Sequence, residues 1–165
     1  MQISKGVEWA VHCCTVIALV GEGRGLNAEA LSEFFEVPGP YLAKQLQALS
    51  RAGLLESMRG KHGGYRLARS VDAISLLDIV LAVEGPGPAF RCTEIRQNGP
   101  CGVPRKECRR PCEVAAAFAD AEAAWRDALR RRSLASIMQE ASAGSTPGHL
   151  LEIVEWVRQK TDPVA

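Results

Sequence analysis

The 165-residue chain lacks features that mark several classes of protein. Aromatic residues make up only 5% of it, and 20 Lys and Arg against 19 Asp and Glu leave a formal net charge of +1. This charge balance excludes a uniformly basic nucleic-acid-binding protein. Any basic surface that binds nucleic acid must therefore be confined to a local patch. The sequence also shows no nucleophile–base pair, phosphate-binding loop or cofactor fingerprint, which predicts that the protein is not an enzyme.

Long hydrophobic runs are absent as well. The uncharged run from Trp9 to Gly21 is too short to cross a bilayer. Glu8 and His12 interrupt the apolar segment after Lys5, which argues against a signal peptide. We therefore predict a cytoplasmic protein with no membrane partner. In a reducing compartment its six cysteines favour metal or redox chemistry over a disulfide framework.

The spacing of apolar residues predicts a first helix over 3–20, followed by two short helices, 27–36 and 41–53, that form a helix-turn-helix. The segments "LLESMRG" (54–60) and "GYRLARS" (64–70) flank a glycine-rich reversal and predict a β-hairpin. The expected fold class is therefore mainly α with a small β-hairpin wing, a winged helix-turn-helix, followed by a long dimerisation helix.

A helix-turn-helix joined to a hairpin predicts double-stranded DNA as a partner. The inward leucines of the third helix leave polar residues to face outward, among them Gln47, and Lys and Gln suit the edges of guanine and adenine. A polar hairpin tip is also common in solvated turns. The predicted DNA-contact residues are Tyr41, Lys44, Gln45, Arg59, Lys61, Gly63 and Gly64.

A Pro- and Gly-rich loop after the helix "ISLLDIVLAVEG" (74–85) carries Cys92, Cys101, Cys108 and Cys112. No C-x-x-C pair occurs among them, which argues against an ordinary zinc ribbon. Basic neighbours and a following helix N-terminus favour thiolates, which bind soft metals and iron–sulfur clusters. Structural zinc, a thiol–disulfide sensor, an electron carrier and incidental cysteines all stay open at this point.

From about Pro111 an amphipathic pattern predicts one long helix with an apolar stripe. A homodimer is favoured because a helix-turn-helix usually reads two half-sites, although the stripe also suits packing against its own domain. The predicted interface residues are Val114, Phe118, Trp125 and Leu129. The predicted domains are a winged DNA-binding domain (1–84), a cysteine-bearing loop (85–112), a dimerisation helix (111–132) and a C-terminal helical extension (133–165).

Four segments of the chain resemble the IscR/NsrR/RsrR family of winged-helix, iron–sulfur-sensing bacterial repressors. They are "VEWAVHCC" (7–14), "PYLAKQLQALSRAGLLESMRGKHGGYRLAR" (40–69), "ISLLDIVLAVEG" (74–85) and the cysteine loop, within roughly residues 1–135. The resemblance implies a homodimer with a long crossing helix and a cluster near the dimer interface that controls binding to promoter DNA.

Similarity to the RsrR branch implies a [2Fe-2S] cluster held by two cysteines of one subunit and a Glu and a His of the other. The matching positions are Glu8, His12, Cys108 and Cys112, with Cys92 and Cys101 as less favoured ligands and Trp9 as a switch candidate. If the chain is helical at residues 108–112, both thiols can reach one iron.

Without the resemblance, Glu8 and His12 would form an ordinary surface pair worth ~0.3 kcal/mol. The alternative function is a cluster-free winged-helix regulator that senses a small molecule or thiol oxidation, or a structural-zinc DNA-binding protein. Cys13 and Cys14 are predicted to pack in the core.

Overall fold

The computed structural model describes residues 3–60 and 63–161 and shows the predicted mainly helical chain with one small hairpin. Short 3₁₀ turns lie at 71–73, 95–97 and 105–107. The longer elements are α1 (Lys5–Ile17), α2 (Ala28–Phe35), α3 (Gly39–Arg51), β1 (Leu55–Met58), β2 (Gly64–Leu67), α4 (Leu76–Glu84), α5 (Glu113–Arg130), α6 (Leu134–Gly144) and α7 (Pro147–Thr161).

Local signals in the sequence set the ends of α2 and α4. The Asn27 side chain accepts a hydrogen bond from the Ala30 amide at 2.7 Å, as expected for a helix N-cap. At α4, the Asp78 amide donates to Ser75 Oγ at 3.2 Å and the Ser75 amide donates to Asp78 Oδ2 at 2.8 Å. This reciprocal capping box fixes where α4 begins.

The core lies where α1, α3 and α4 meet, and the leucines of α3 point into it. Leu42, Leu46 and Leu49 have no exposed surface. Cys13 and Cys14 are also fully buried, and burial raises the pKa of each thiol to about 12. Both cysteines therefore pack in the core as neutral thiols, as the sequence predicted.

The hairpin is antiparallel, with Leu55 opposite Leu67 and Met58 opposite Gly64. It is tied to the segment before α2, because the Tyr65 amide donates to the Leu26 carbonyl at 2.8 Å and the Leu26 amide donates back at 3.0 Å. Gly64 has a φ of +143°, and a Cβ there would lie 2.5 Å from the Leu26 carbonyl carbon. Only glycine therefore permits this close approach.

The two C-terminal helices return to the winged domain. The Leu76 amide donates to the Arg132 carbonyl at 2.8 Å and the Leu134 amide donates to the Ile74 carbonyl at 2.7 Å, which places Leu134 in the core. Further along, the Trp156 ring of α7 meets the Phe34 ring of α2 at 4.7 Å. Residues 134–161 therefore pack on the domain that carries the helix-turn-helix.

Candidate functional site

The exposed side of α1 carries Glu8 and His12, one helical turn apart. Together with Trp9, Phe35 and Val37 they line a shallow cavity of about 240 Å³. The His12 ring lies 5.8 Å from the Phe35 ring. Among the described residues neither the Glu8 nor the His12 side chain has a hydrogen-bonding or ion-pair partner, so the ordinary surface pair of these two side chains is not formed.

The cysteine loop presents its four thiols unequally. Cys92 and Cys101 are exposed, Cys108 is half-buried and Cys112 is buried. Cys108 follows a 3₁₀ turn with a ψ of 66°, and Cys112 is the N-cap of α5 with a ψ of 138°. The chain is therefore not helical between Cys108 and Cys112, and the condition under which helical spacing would bring both thiols to one iron is not met.

Arg96 organises this loop. Its Nε donates to Glu94 Oε2 at 2.8 Å and its Nη2 donates to the Arg110 carbonyl at 2.7 Å. The hydrogen bond with Glu94, and then the charges of Glu94, Cys108 and Cys112, raise the pKa of Arg96. The guanidinium therefore ties the middle of the loop to its C-terminal end and places a positive charge near Cys108 and Cys112. The spacing of cysteines in the sequence gave no sign of this role.

The two sets of candidate ligands do not meet within one chain. Among the described residues, no three His, Cys, Asp or Glu side chains lie close enough to hold a metal ion. If these four residues hold one metal centre, Glu8 with His12 and Cys108 with Cys112 are its two half-sites, one on α1 and one before α5. A site with all four residues requires two chains.

The apolar stripe of α5 is largely uncovered. None of the described residues 113–130 is buried, and Val114 and Phe118 are 55% and 50% exposed. Phe118 stacks on Phe90 at 4.4 Å. Trp125 and Leu129 are half-buried, and Trp125 lines a cavity beside α4 of its own chain. The first half of the helix therefore has the free apolar surface that a second subunit requires.

The prediction of which residues of α3 face outward to read DNA is only partly correct. Tyr41 is 65% exposed, and Lys44 and Gln47 are exposed beside it. The prediction that Gln45 faces outward is wrong, because it is only 8% exposed. Residues 42, 45, 46 and 49 form one inward face at helical spacing. Gln45 packs against Gly6 of α1, where an added Cβ would lie 2.9 Å from its amide carbon.

The structure of the wing also contradicts one prediction, that the Gly63 amide contacts DNA. Arg59 is exposed at the hairpin tip, but the Gly63 amide donates to the Gly60 carbonyl at 2.9 Å and is not free for a phosphate. Gly64 is explained by its contact with Leu26. Lys61 lies outside the described residues. No helix in the described part of the chain is both long and apolar enough to span a membrane.

Comparison with known proteins adds sequence relatives. Residues 3–140 match the family model named Rrf2, described as an iron-dependent transcriptional regulator. YffB of Lactococcus lactis, named as an HTH-type transcriptional regulator, is 31% identical over 155 residues, which is 94% of this chain and 98% of that protein. YwgB of Bacillus subtilis, with the same kind of name, is 30% identical over 138 residues, 84% of this chain and 85% of that protein.

Solved structures share the fold. CymR, the global cysteine regulator of B. subtilis, superposes with a TM-score of 0.63 at 21% identity and covers 85% of this chain and 98% of its own. T. potens IscR superposes with a TM-score of 0.65 at 20% identity, covering 92% and 96%. These likenesses confirm the winged-helix fold and carry no statement about ligands.

Proposed function

This chain belongs to the Rrf2 family of DNA-binding transcription regulators, and from that membership we propose that it is a homodimeric repressor of the RsrR type. The family is not enzymatic, as the sequence predicted. In this proposal the protein acts in the cytoplasm, and a [2Fe-2S] cluster shared between two subunits controls its binding to promoter DNA. Glu8 and His12 of one subunit and Cys108 and Cys112 of the other are the ligands, ahead of Cys92 and Cys101.

The observation that carries the proposal is the pair of exposed, unpartnered donors on α1. Glu8 and His12 share one face of the helix, while no complete metal site exists among the described residues of one chain. A carboxylate, an imidazole and two thiols supply the four ligands that a two-iron cluster needs. The donor set therefore fits such a cluster in number and chemistry, provided that two chains contribute.

In the proposed regulator each part of the chain has its own role. Residues 1–84 read DNA, residues 85–112 hold the cysteines, residues 111–132 form the dimer through Val114, Phe118, Trp125 and Leu129, and residues 133–165 extend the domain. Arg96 fixes the loop and places a positive charge near both thiols. A bound cluster supplies a one-electron change in charge, and an imidazole ligand raises its potential.

The route from the cluster site to DNA runs through Trp9. Its ring meets the Tyr41 ring edge-on, with centroids 6.3 Å apart. Tyr41 lies in the first turn of α3, so a shift of α1 changes the packing of the DNA-reading helix directly. Tyr41, Lys44, Gln47 and Arg59 are the proposed DNA contacts among the described residues, and Lys61, which lies outside them, completes the set. Two such helices in a dimer suit successive major grooves.

Anaerobic purification and visible absorption spectroscopy test the proposal. We expect a coloured, iron-containing dimer whose spectrum changes in the variant His12→Ala. The matched control is Cys13→Ala on the same helix, because Cys13 is fully buried and protonated. A colourless, iron-free protein would rule out the cluster, and a coloured protein that binds no DNA in either redox state would rule out the regulator.

A cluster-free regulator that senses thiol oxidation is the second candidate. The free cysteines of the loop favour it, since Cys92 and Cys101 are exposed and Cys108 is half-buried, and accessible thiols can be oxidised. This candidate predicts an iron-free protein that loses two free thiols on treatment with peroxide and changes its DNA affinity at the same time. Metal analysis also detects structural zinc.

A further inference from the structure

α1, α6 and α7 enclose an apolar groove on the domain, with a cavity volume of about 380 Å³. Val16 of α1, Leu19 just after it, Met138 and Ala141 of α6 and Ile153 of α7 form its walls. We infer that this groove binds a small, neutral, apolar molecule and gives the regulator a second input beside the proposed cluster. Its volume falls within the range of about 300–1,000 Å³ that is typical of small-molecule sites.

The lining determines the charge of the occupant. Among the described residues that form the groove there is no Asp, Glu, Lys or Arg. A charged molecule would lose its hydration there without gaining a counter-charge, which is costly. Four of the lining residues carry polar side-chain atoms: His12, Thr15, Ser142 and Ser145. Thr15 Oγ1 donates to the His12 carbonyl at 2.8 Å and Ser145 Oγ donates to the Ala141 carbonyl at 2.8 Å, so both hydroxyl oxygens can still accept a hydrogen bond. The other lining residues are all apolar, so the ligand is mainly apolar with a few polar atoms.

The groove lies beside α7, which is firmly attached to the domain at its C-terminal end. The C-terminal half of α7 is fixed to α2, since Lys160 Nζ pairs with Glu33 at 2.7 Å and Val157 is only 2% exposed. Leu150, Ile153 and Val154 of α7 line the groove together with residues of α1, and Leu19 and Val154 are still 38% and 48% exposed. An occupant would cover this apolar surface without moving the anchored half of the helix.

The groove is coupled to the proposed cluster site, and this step rests on the proposed function. His12 lies at the rim of the groove and also at the rim of the cavity that contains Glu8 and Trp9. An occupant of the groove would therefore contact a residue that also lines the cavity of the proposed cluster site. The Trp156–Phe34 contact further joins α7 to the first helix of the helix-turn-helix.

The neutral fluorophore N-phenylnaphthylamine tests the inference on the full-length protein purified without oxygen. We expect saturable binding of about one probe per chain, and roughly tenfold weaker binding of anilinonaphthalene sulfonate, which adds an anionic group to the same rings. Ala141→Phe fills the groove from α6 and should weaken binding of the neutral probe roughly tenfold. Its matched control is Ala143→Phe, because Ala143 is exposed on the same helix but does not line the groove.

Equal binding of the neutral probe by the Ala141→Phe variant and the unchanged protein would overturn the inference. So would equal affinity for the two probes, a comparison that needs no variant and no assumption about folding. If Ala141→Phe, but not Ala143→Phe, dissociates the dimer in sedimentation, the groove is an interface between copies and the effector site is wrong. Failure of the cluster proposal appears separately, as an iron-free protein with unchanged probe binding.

Discussion

Gly64→Ala is expected to displace the wing and to leave the cluster half-sites intact. An alanine Cβ at this position would lie 2.5–2.7 Å from the carbonyl group of Leu26 and the amide nitrogen of Asn27. The obstacle is backbone rather than a flexible side chain, so the hairpin itself has to move. Moving it breaks the two hydrogen bonds between Leu26 and Tyr65.

The magnitude follows from these contacts. A non-glycine residue in so unfavourable a conformation costs about 1–3 kcal/mol, and each lost hydrogen bond costs about 1 kcal/mol. The sum is about 3–5 kcal/mol, which for a chain of this size lowers Tm by roughly 6–20 °C. Gly53→Ala is the matched control: Gly53 also has a positive φ, of +67°, but nothing lies within 4 Å of an added Cβ. Its expected cost is about 1–2 kcal/mol.

Thermal unfolding at fixed protein concentration and binding to random-sequence duplex DNA are the two measurements. Gly64→Ala should weaken DNA binding and flatten its salt dependence, because the wing no longer reaches the phosphates. Its visible spectrum should be unchanged, since the cavity lined by Glu8 and His12 includes no residue of the hairpin. A Tm loss no larger than that of Gly53→Ala would refute the argument from close approach.

Three further predictions concern α3, the core and α5. Gln47→Ala should weaken binding to a duplex selected in vitro by about 1–3 kcal/mol if the amide reads a base, whereas Gln45→Ala should lower Tm and spare sequence preference, because Gln45 is buried. The raised pKa of Cys14 means that the unfolded chain loses the thiol proton from about pH 9 and the folded chain only near 12. The free energy of unfolding therefore falls as the pH rises through this window. Cys14→Ala should make this fall shallower by up to about 1.4 kcal/mol per pH unit, as measured by urea titrations at several pH values. Phe118→Asp should shift sedimentation from dimer to monomer, since this ring is 50% exposed on α5; an unchanged dimer would contradict the assigned interface.

Signals contained within a few neighbouring residues predicted the fold well. Asn27, Ser75 and Ser133, which are residue types that favour helix N-caps, cap α2, α4 and α6, and each side chain accepts a hydrogen bond from the amide three residues on. Gly53 follows α3 with a positive φ, as expected just after a helix end. These features need only the local chain and its hydrogen-bonding rules, so they can be read without knowing the tertiary structure.

Predictions that depended on distant residues failed or were incomplete. Gln45 was assigned to the surface from its polarity, but helical spacing places it with Leu42 and Leu49, and the small residue that makes room for it, Gly6, is far away in the sequence. Helical periodicity predicts that the Gln45 side chain points inward, whereas its polarity predicts the surface. The periodicity gives the correct direction. The role of Arg96 depends on a contact with residue 110 across an irregular loop, which no spacing rule predicts.

The two candidate cluster ligands on α1, Glu8 and His12, lie on the face of the helix that does not pack in the core. The opposite face of this helix supplies Ala10, Cys13, Cys14 and Ile17 to the core, and burial makes its two thiols neutral. Glu8 and His12 remain on the outside without partners, so a second chain can approach them at no cost in core packing. For the same reason His12→Ala should change metal binding without unfolding the domain. A large loss of Tm in that variant would mean that His12 supports the fold through Phe35, and the ligand assignment would then lose its main structural support.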